Sequence, residues 1–267
     1  MDTPIDVWNT GTFDQELMSK LQANAQLIRD YLTTRRRLFD EREASDHRMP
    51  HATNPYGGEY QAFVEGVGRE LMQARVIRAW HYTRLVDAEV DIIKKIGLYP
   101  STLETLRRRQ EALVKAGMFS VADRDALYKE SPFHEQEDIR SGRFWMTSDP
   151  VATDDSGVKL LLGHWGGEAT YFWQRDERLT QLVASIGRPR ILEIAVPIAK
   201  TREWYSAGKA VVAAYARTLG CWPDRGAFDL YSMTDLGPET VVAIHTAGDE
   251  PFDLMARGYP PEFVLDQ

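Results

Sequence analysis

One cysteine, Cys221, stands in 267 residues, so no intramolecular disulfide can form and no cysteine cluster can hold zinc. A reducing compartment, the cytoplasm, is the expected location. No run approaches the roughly 20 consecutive apolar residues of a membrane-spanning helix, and no membrane partner is expected. The start, Met1 to Asp6, lacks a basic stretch followed by an apolar one, so no secretory signal is expected either. Positive charge is in deficit: the formal net charge of −8 argues against a broadly basic nucleic-acid-binding surface, while leaving room for a local basic groove.

Several motifs are missing as well. There is no Gly-x-Gly-x-x-Gly after a strand, no Gly-x-x-x-x-Gly-Lys-Ser/Thr loop and no His-Glu-x-x-His helix. Gly163 to Gly167 encloses no serine, so it is not a nucleophile elbow. No metal is expected: His47 and His51 are four apart, but Pro50 between them interrupts the helix that would pair them.

What is present is a foldable chain, 43% hydrophobic and 27% charged, long enough to bury a sizeable core. Phe13, Leu17, Leu21, Ala25, Ile28, Leu32 and Leu38 recur at helical spacing and predict one amphipathic helix over 12–43. Breakers crowd 44–58 and predict a linker, followed by a helix over 60–73. Val76 to Tyr82, rich in β-branched and aromatic residues, reads as a strand. A helix capped by Asp87 and closed by Gly97 follows, then a second one capped by Ser101 or Thr102. The arginine runs 35–37 and 107–109 read as solvated helix surface.

Phe144 to Thr147 and Ile191 to Val196 read as strands, Phe228 to Tyr231 as a short one, and Thr240 to His245 as the clearest late strand. Glycines and aromatics over 163–173 favour another strand. Helices are expected over 123–129, 175–186 and 209–219. Strands arriving irregularly between helices fit an α+β fold with a largely antiparallel sheet rather than a doubly wound one. The expected organisation is an N-terminal helical segment with linker, 1–73, and an α+β domain, 74–267.

Three fragments carry a resemblance. His81-Tyr82-Thr83 ends the first strand, Arg143-Phe144-Trp145-Met146-Thr147-Ser148 forms the second, and Gly237-Pro238-Glu239 opens a late one. Their order is similar to that of the ADP-ribosyltransferase superfamily, in its His-Tyr-Glu branch of mono-ADP-ribosyltransferase toxins and defence proteins. The resemblance spans about 76–245. It implies an antiparallel split sheet and transfer of ADP-ribose from NAD+ to a protein, RNA or DNA acceptor, with an antitoxin or regulatory partner.

By the same resemblance, His81 bonds ribose hydroxyls, and Glu239 holds the ribose, offsets developing positive charge and serves the acceptor, with Glu168 as the rival carboxylate. Tyr171 is the candidate to stack on nicotinamide, competing with Trp145 and Phe172. Tyr82, Thr83, Arg84 and Ser148 complete the expected cofactor contacts, with Arg78 and Arg84 as candidates for the pyrophosphate. Tyr82 departs from the glycine found in several relatives, which alters the backbone grip on nicotinamide. Two other readings stand beside this one: a non-catalytic interaction protein on the same fold, and the related NAD-dependent RNA 2′-phosphotransferase.

Overall fold

Extended backbone forms where β-branched and aromatic residues cluster, and the longest such run becomes the middle of a sheet. A computed structural model of the chain, which describes residues 3–44, 52–224 and 226–258, contains five strands: β1 (Val76–Leu85), β2 (Phe144–Thr147), β3 (Arg188–Pro197), β4 (Asp229–Ser232) and β5 (Val241–Thr246). They form one open antiparallel sheet in the order β4-β2-β1-β3-β5. Trp80 pairs with Thr147, and Thr147 pairs on its other side with Asp229. Ile191 pairs with His245, and a register shift interrupts the β3–β5 ladder between Glu193 and Ile194. The fold is α+β, as the irregular spacing of strands implies.

The helices are α1 (Gln15–Ala23), α2 (Ala25–Glu43), α3 (Gly57–Gly66), α4 (Asp87–Ile96), α5 (Leu103–Lys115) and α6 (Val121–Lys129). There follow α7 (Glu137–Arg140), α8 (Ser156–Gly163), α9 (Glu168–Tyr171), α10 (Glu177–Ser185), α11 (Trp204–Thr218) and α12 (Glu250–Met255). Local chemistry sets several of their ends. Thr102 caps α5 by accepting from the Thr105 N–H. At α4 the cap is Val86 rather than Asp87, because the Glu89 carboxylate reaches back to the Val86 N–H. Gly97 ends α4 at φ +85°, and a Cβ there would meet the Leu236 carbonyl oxygen at 2.1 Å. Only glycine fits.

Three expectations change. The helix expected over 12–43 is two helices, broken at Asn24, which sits at φ −111°, ψ 15° outside helical geometry. The helix after the linker starts at Gly57, and its second part widens into a π-helical turn, Val67–Leu71. The strand expected within 163–173 is instead the short helix α9, because Gly166 and Gly167, at φ +81° and +56°, turn the chain just before it. His47, His51 and residues 45–51 of the expected linker lie outside the described residues.

Among the described residues the chain divides into two compact units, one of residues up to 78 with 197–228, the other of 79–196 with 229–258. The sequence reading places a single boundary after residue 73. The difference arises from α11, whose small residues let it lie against α3 in the first unit. Gly68 and Gly208 meet there so closely that a Cβ on Gly208 would stand 2.7 Å from the Gly68 Cα. Leu17, Leu21, Ile28 and Leu32 are buried in this unit, and Arg75 ties its loop to Asp14 and Glu16. The second unit contains the sheet from Ala79 onward, with a helical core in which Trp165, Leu179, Val183, Leu113 and Phe119 pack together.

Candidate functional site

Within the second unit, β1, β2, α4 and α5 enclose a cavity of about 960 Å³. His81, on β1, lines it. Its Nδ1 lies 2.8 Å from the Trp145 carbonyl oxygen of β2. A carbonyl only accepts, so Nδ1 carries the proton and Nε2 is left as an acceptor. The imidazole rests against Phe144, ring centres 4.5 Å apart. Burial depresses its pKa from 6.5 to about 4, opposed by the bond to Trp145 and assisted by the positive charge of Arg109. His81 is therefore a neutral, fixed-tautomer acceptor at neutral pH.

Arg109 is the wall opposite in charge. Its Nε donates to Glu89 at 2.8 Å, and its guanidinium lies 4.8 Å from the Trp165 ring. Glu89 also accepts from Trp165 Nε1 at 2.8 Å and from the Val86 N–H, so one carboxylate caps α4, pairs Arg109 and anchors the indole. The Arg109 Nη2 is buried and has no hydrogen-bond partner. An unpaired buried donor costs free energy unless an acceptor arrives, so this atom is suited to an oxygen of a ligand in the cavity.

The expected site residues divide. His81, Tyr82, Thr83, Trp145 and the rival carboxylate Glu168 line the cavity; Glu239, Tyr171, Phe172, Ser148 and Arg84 do not. The expected convergence of His81, Tyr171 and Glu239 on one cleft does not occur. Glu239 stands exposed on a short 3-10 turn before β5, with its carboxylate folded back toward Gly237. β5 is the edge strand beyond β3, on the other side of β1 from β2. Tyr171 lies against His164, ring centres 5.2 Å apart, and burial raises its hydroxyl to about 12.

Arg84 is occupied by the chain itself, donating to the Ile186 and Leu162 carbonyl oxygens, and desolvation lowers its pKa. Arg78, the other pyrophosphate candidate, pairs with Asp6 in the first unit. Ser148 is fully buried. The Tyr82 hydroxyl accepts the Val151 N–H at 2.6 Å, and burial raises its pKa. Glu168 is paired with Arg140.

Two lining residues escaped the sequence reading. Asp229 opens β4 opposite Thr147, and it carries the same signal used for Glu239, a carboxylate at the start of a strand. Arg109 belongs to the run read as solvated surface. Yet it stands three residues after Leu106 and four before Leu113, both buried, which turns it to the inner side of α5. Among the described residues no group of three or more His, Cys, Asp or Glu side chains is placed to hold a metal ion, and no helix is long and apolar enough to cross a membrane. No family model, no curated protein and no solved structure matches the chain.

Proposed function

We propose that the chain is an NAD+-dependent mono-ADP-ribosyltransferase acting on a macromolecular acceptor. The observation that carries this reading is the meeting of the first two sequence fragments, His81-Tyr82-Thr83 and Phe144 to Thr147, on one cavity whose volume suits a dinucleotide. Neutral His81 offers Nε2 to a ribose hydroxyl. Arg109 Nη2 offers an unspent donor to a substrate oxygen. In the reaction the bond between ribose C1′ and nicotinamide breaks, nicotinamide leaves with the electron pair, and an acceptor nucleophile bonds to C1′ and gives up its proton.

A carboxylate beside the ribose offsets the positive charge that develops during this exchange. Glu239 is away from the cavity. We assign the role to Asp229, the cavity-lining carboxylate that opens a late strand as the resemblance asks, opposite Thr147 of β2. Nicotinamide release from NAD+, with protein, RNA and DNA fractions supplied in turn, tests the assignment. Asp229→Asn is expected to slow release about 100-fold or more, the effect of losing one transition-state electrostatic contact. Glu239→Gln is expected to leave it within about twofold, as for a surface change away from the site. If the wild type releases no nicotinamide with any fraction, the transferase reading fails; if Glu239→Gln is the inactive variant, the assignment of Asp229 fails.

A further inference from the structure

The arginines of the cavity are unevenly matched. Five line it: Arg108, Arg109, Arg140, Arg143 and Arg188. Arg109 has Glu89 and Arg140 has Glu168, whereas the other three have no carboxylate partner among the described residues. Arg143 is held by backbone carbonyls, those of Ile139 and Asp138, and Arg188 by that of Ala247. Arg108 lies over the Tyr99 ring at 5.1 Å. Carbonyls fix a guanidinium in place without neutralising it. Such a group keeps its charge and its remaining N–H donors for something that binds.

Arg143 is also part of a stacked group. Its guanidinium carbon lies 4.8 Å from the Tyr231 ring centre and 5.8 Å from that of Trp145. Tyr231 and Trp145 are direct cross-strand partners on β4 and β2, ring centres 4.7 Å apart. Trp145 is 42% exposed, unusual for an indole on a strand that lines a cavity. The pattern repeats nearby: Phe172, 44% exposed, carries Arg140 over its ring at 4.1 Å.

From this we infer that Trp145, Tyr231 and Arg143 form a platform for single-stranded nucleic acid, with bases stacking on the exposed Trp145 ring, which Tyr231 backs, and phosphates pairing with the unmatched arginines. The inference names the acceptor class of the transferase reading, although binding itself does not depend on that reading. Open aromatic faces joined to free cationic charge fit unstacked bases and phosphates together. A duplex hides its base faces, so it uses only the charge. A protein partner would also favour Trp, Tyr and Arg, but it would call for no three arginines without carboxylates. The overall charge of −8 does not decide the matter. Charges more than about 8 Å away are largely screened at physiological salt, and the arginines are local.

The test is fluorescence anisotropy of labelled single-stranded DNA and RNA of about 12 nucleotides, with a blunt DNA duplex alongside and NAD+ absent. Both single strands, or one of them, are expected to bind more tightly than the duplex, and the tighter of the two names the nucleic acid. Trp145→Ala is expected to weaken binding about tenfold, and Trp145→Phe, which keeps a stacking face, to restore most of it. Arg143→Gln is expected to lower the slope of log affinity against log salt by about 1.

Circular dichroism checks that each variant is folded. No binding of either single strand at about 50 mM salt, duplex binding as tight as single-strand binding, or a folded Trp145→Ala that binds like the wild type overturns the inference. Nicotinamide release with label on protein and no oligonucleotide binding does the same, leaving the transferase reading intact. Oligonucleotide binding without nicotinamide release has the opposite meaning: the platform stands and the transferase reading fails.

Discussion

The protonation of His81 offers a direct measure of the cavity. In the unfolded chain the imidazole titrates near 6.5, and in the folded chain near 4. The folded state thus binds fewer protons between these values. The contribution of His81 to stability is fully present above pH 6.5, falls as pH drops from there towards 4, and stays level below. The interval of 2.5 units at 1.36 kcal/mol each corresponds to about 3 kcal/mol. Other groups titrate in the same range, so the quantity to measure is a difference. Urea unfolding of the wild type and of His81→Gln, repeated between pH 7.5 and pH 4, isolates it. The wild type is expected to lose up to about 3 kcal/mol relative to the variant over that interval, and the His81 ring resonances of the folded protein to titrate near 4. A difference that stays flat, or a folded-state midpoint near 6.5, would refute the argument that burial against Phe144 keeps the ring neutral.

Other substitutions probe the supports around the site. Glu89→Ala removes the carboxylate that pairs Arg109, anchors Trp165 and caps α4, and leaves a buried guanidinium unpaired. A loss of about 3 kcal/mol is expected in denaturant unfolding. Tyr82→Phe deprives the Val151 N–H of its acceptor and is expected to cost about 1 kcal/mol in the same assay. Gly208→Ala pushes a methyl group against the Gly68 backbone, which cannot move aside, and is expected to cost about 2–3 kcal/mol. Gly117→Ala, in open space at φ +73°, should cost only about 1 kcal/mol, since it meets backbone strain but no neighbour. Equal thermal shifts for the two glycine variants would contradict the close approach at Gly68.

The elements most legible in sequence are those whose signal is local. Val76 to Tyr82 announces a strand by composition, and Thr102 announces the start of a helix by its hydroxyl; both form, β1 running on to Leu85. Periodicity did not reveal the break at Asn24, because the apolar spacing continues through it and only the backbone angles change. Gly163 to Trp173 misleads because aromatic residues favour strands on average, whereas two glycines with positive φ redirect this segment into α9.

At the site, the fragments on β1 and β2 come together, since neighbouring strands in this sheet put them side by side. Choosing among carboxylates was beyond sequence, because Glu239 comes just before one late strand and Asp229 opens another, and only the strand order separates them. That order depends on pairings between residues 47 to 88 positions apart, Arg190 with Thr246 and Met146 with Leu230 among them. No window of local composition contains that information.

The division of the chain also has a consequence for how it emerges from the ribosome. The first unit needs α11, and the sheet of the second needs β4 and β5, so neither can be completed until well over 200 residues have been made. The N-terminal helices, with Leu17, Leu21, Ile28 and Leu32 ready to be buried, must wait for a partner still inside the synthesis machinery. At typical elongation rates of about 5–20 residues per second, that exposure lasts on the order of ten seconds or more. A nascent chain stalled before residue 204 is expected to hold this apolar face open, and to depend on chaperones in a way the finished protein does not.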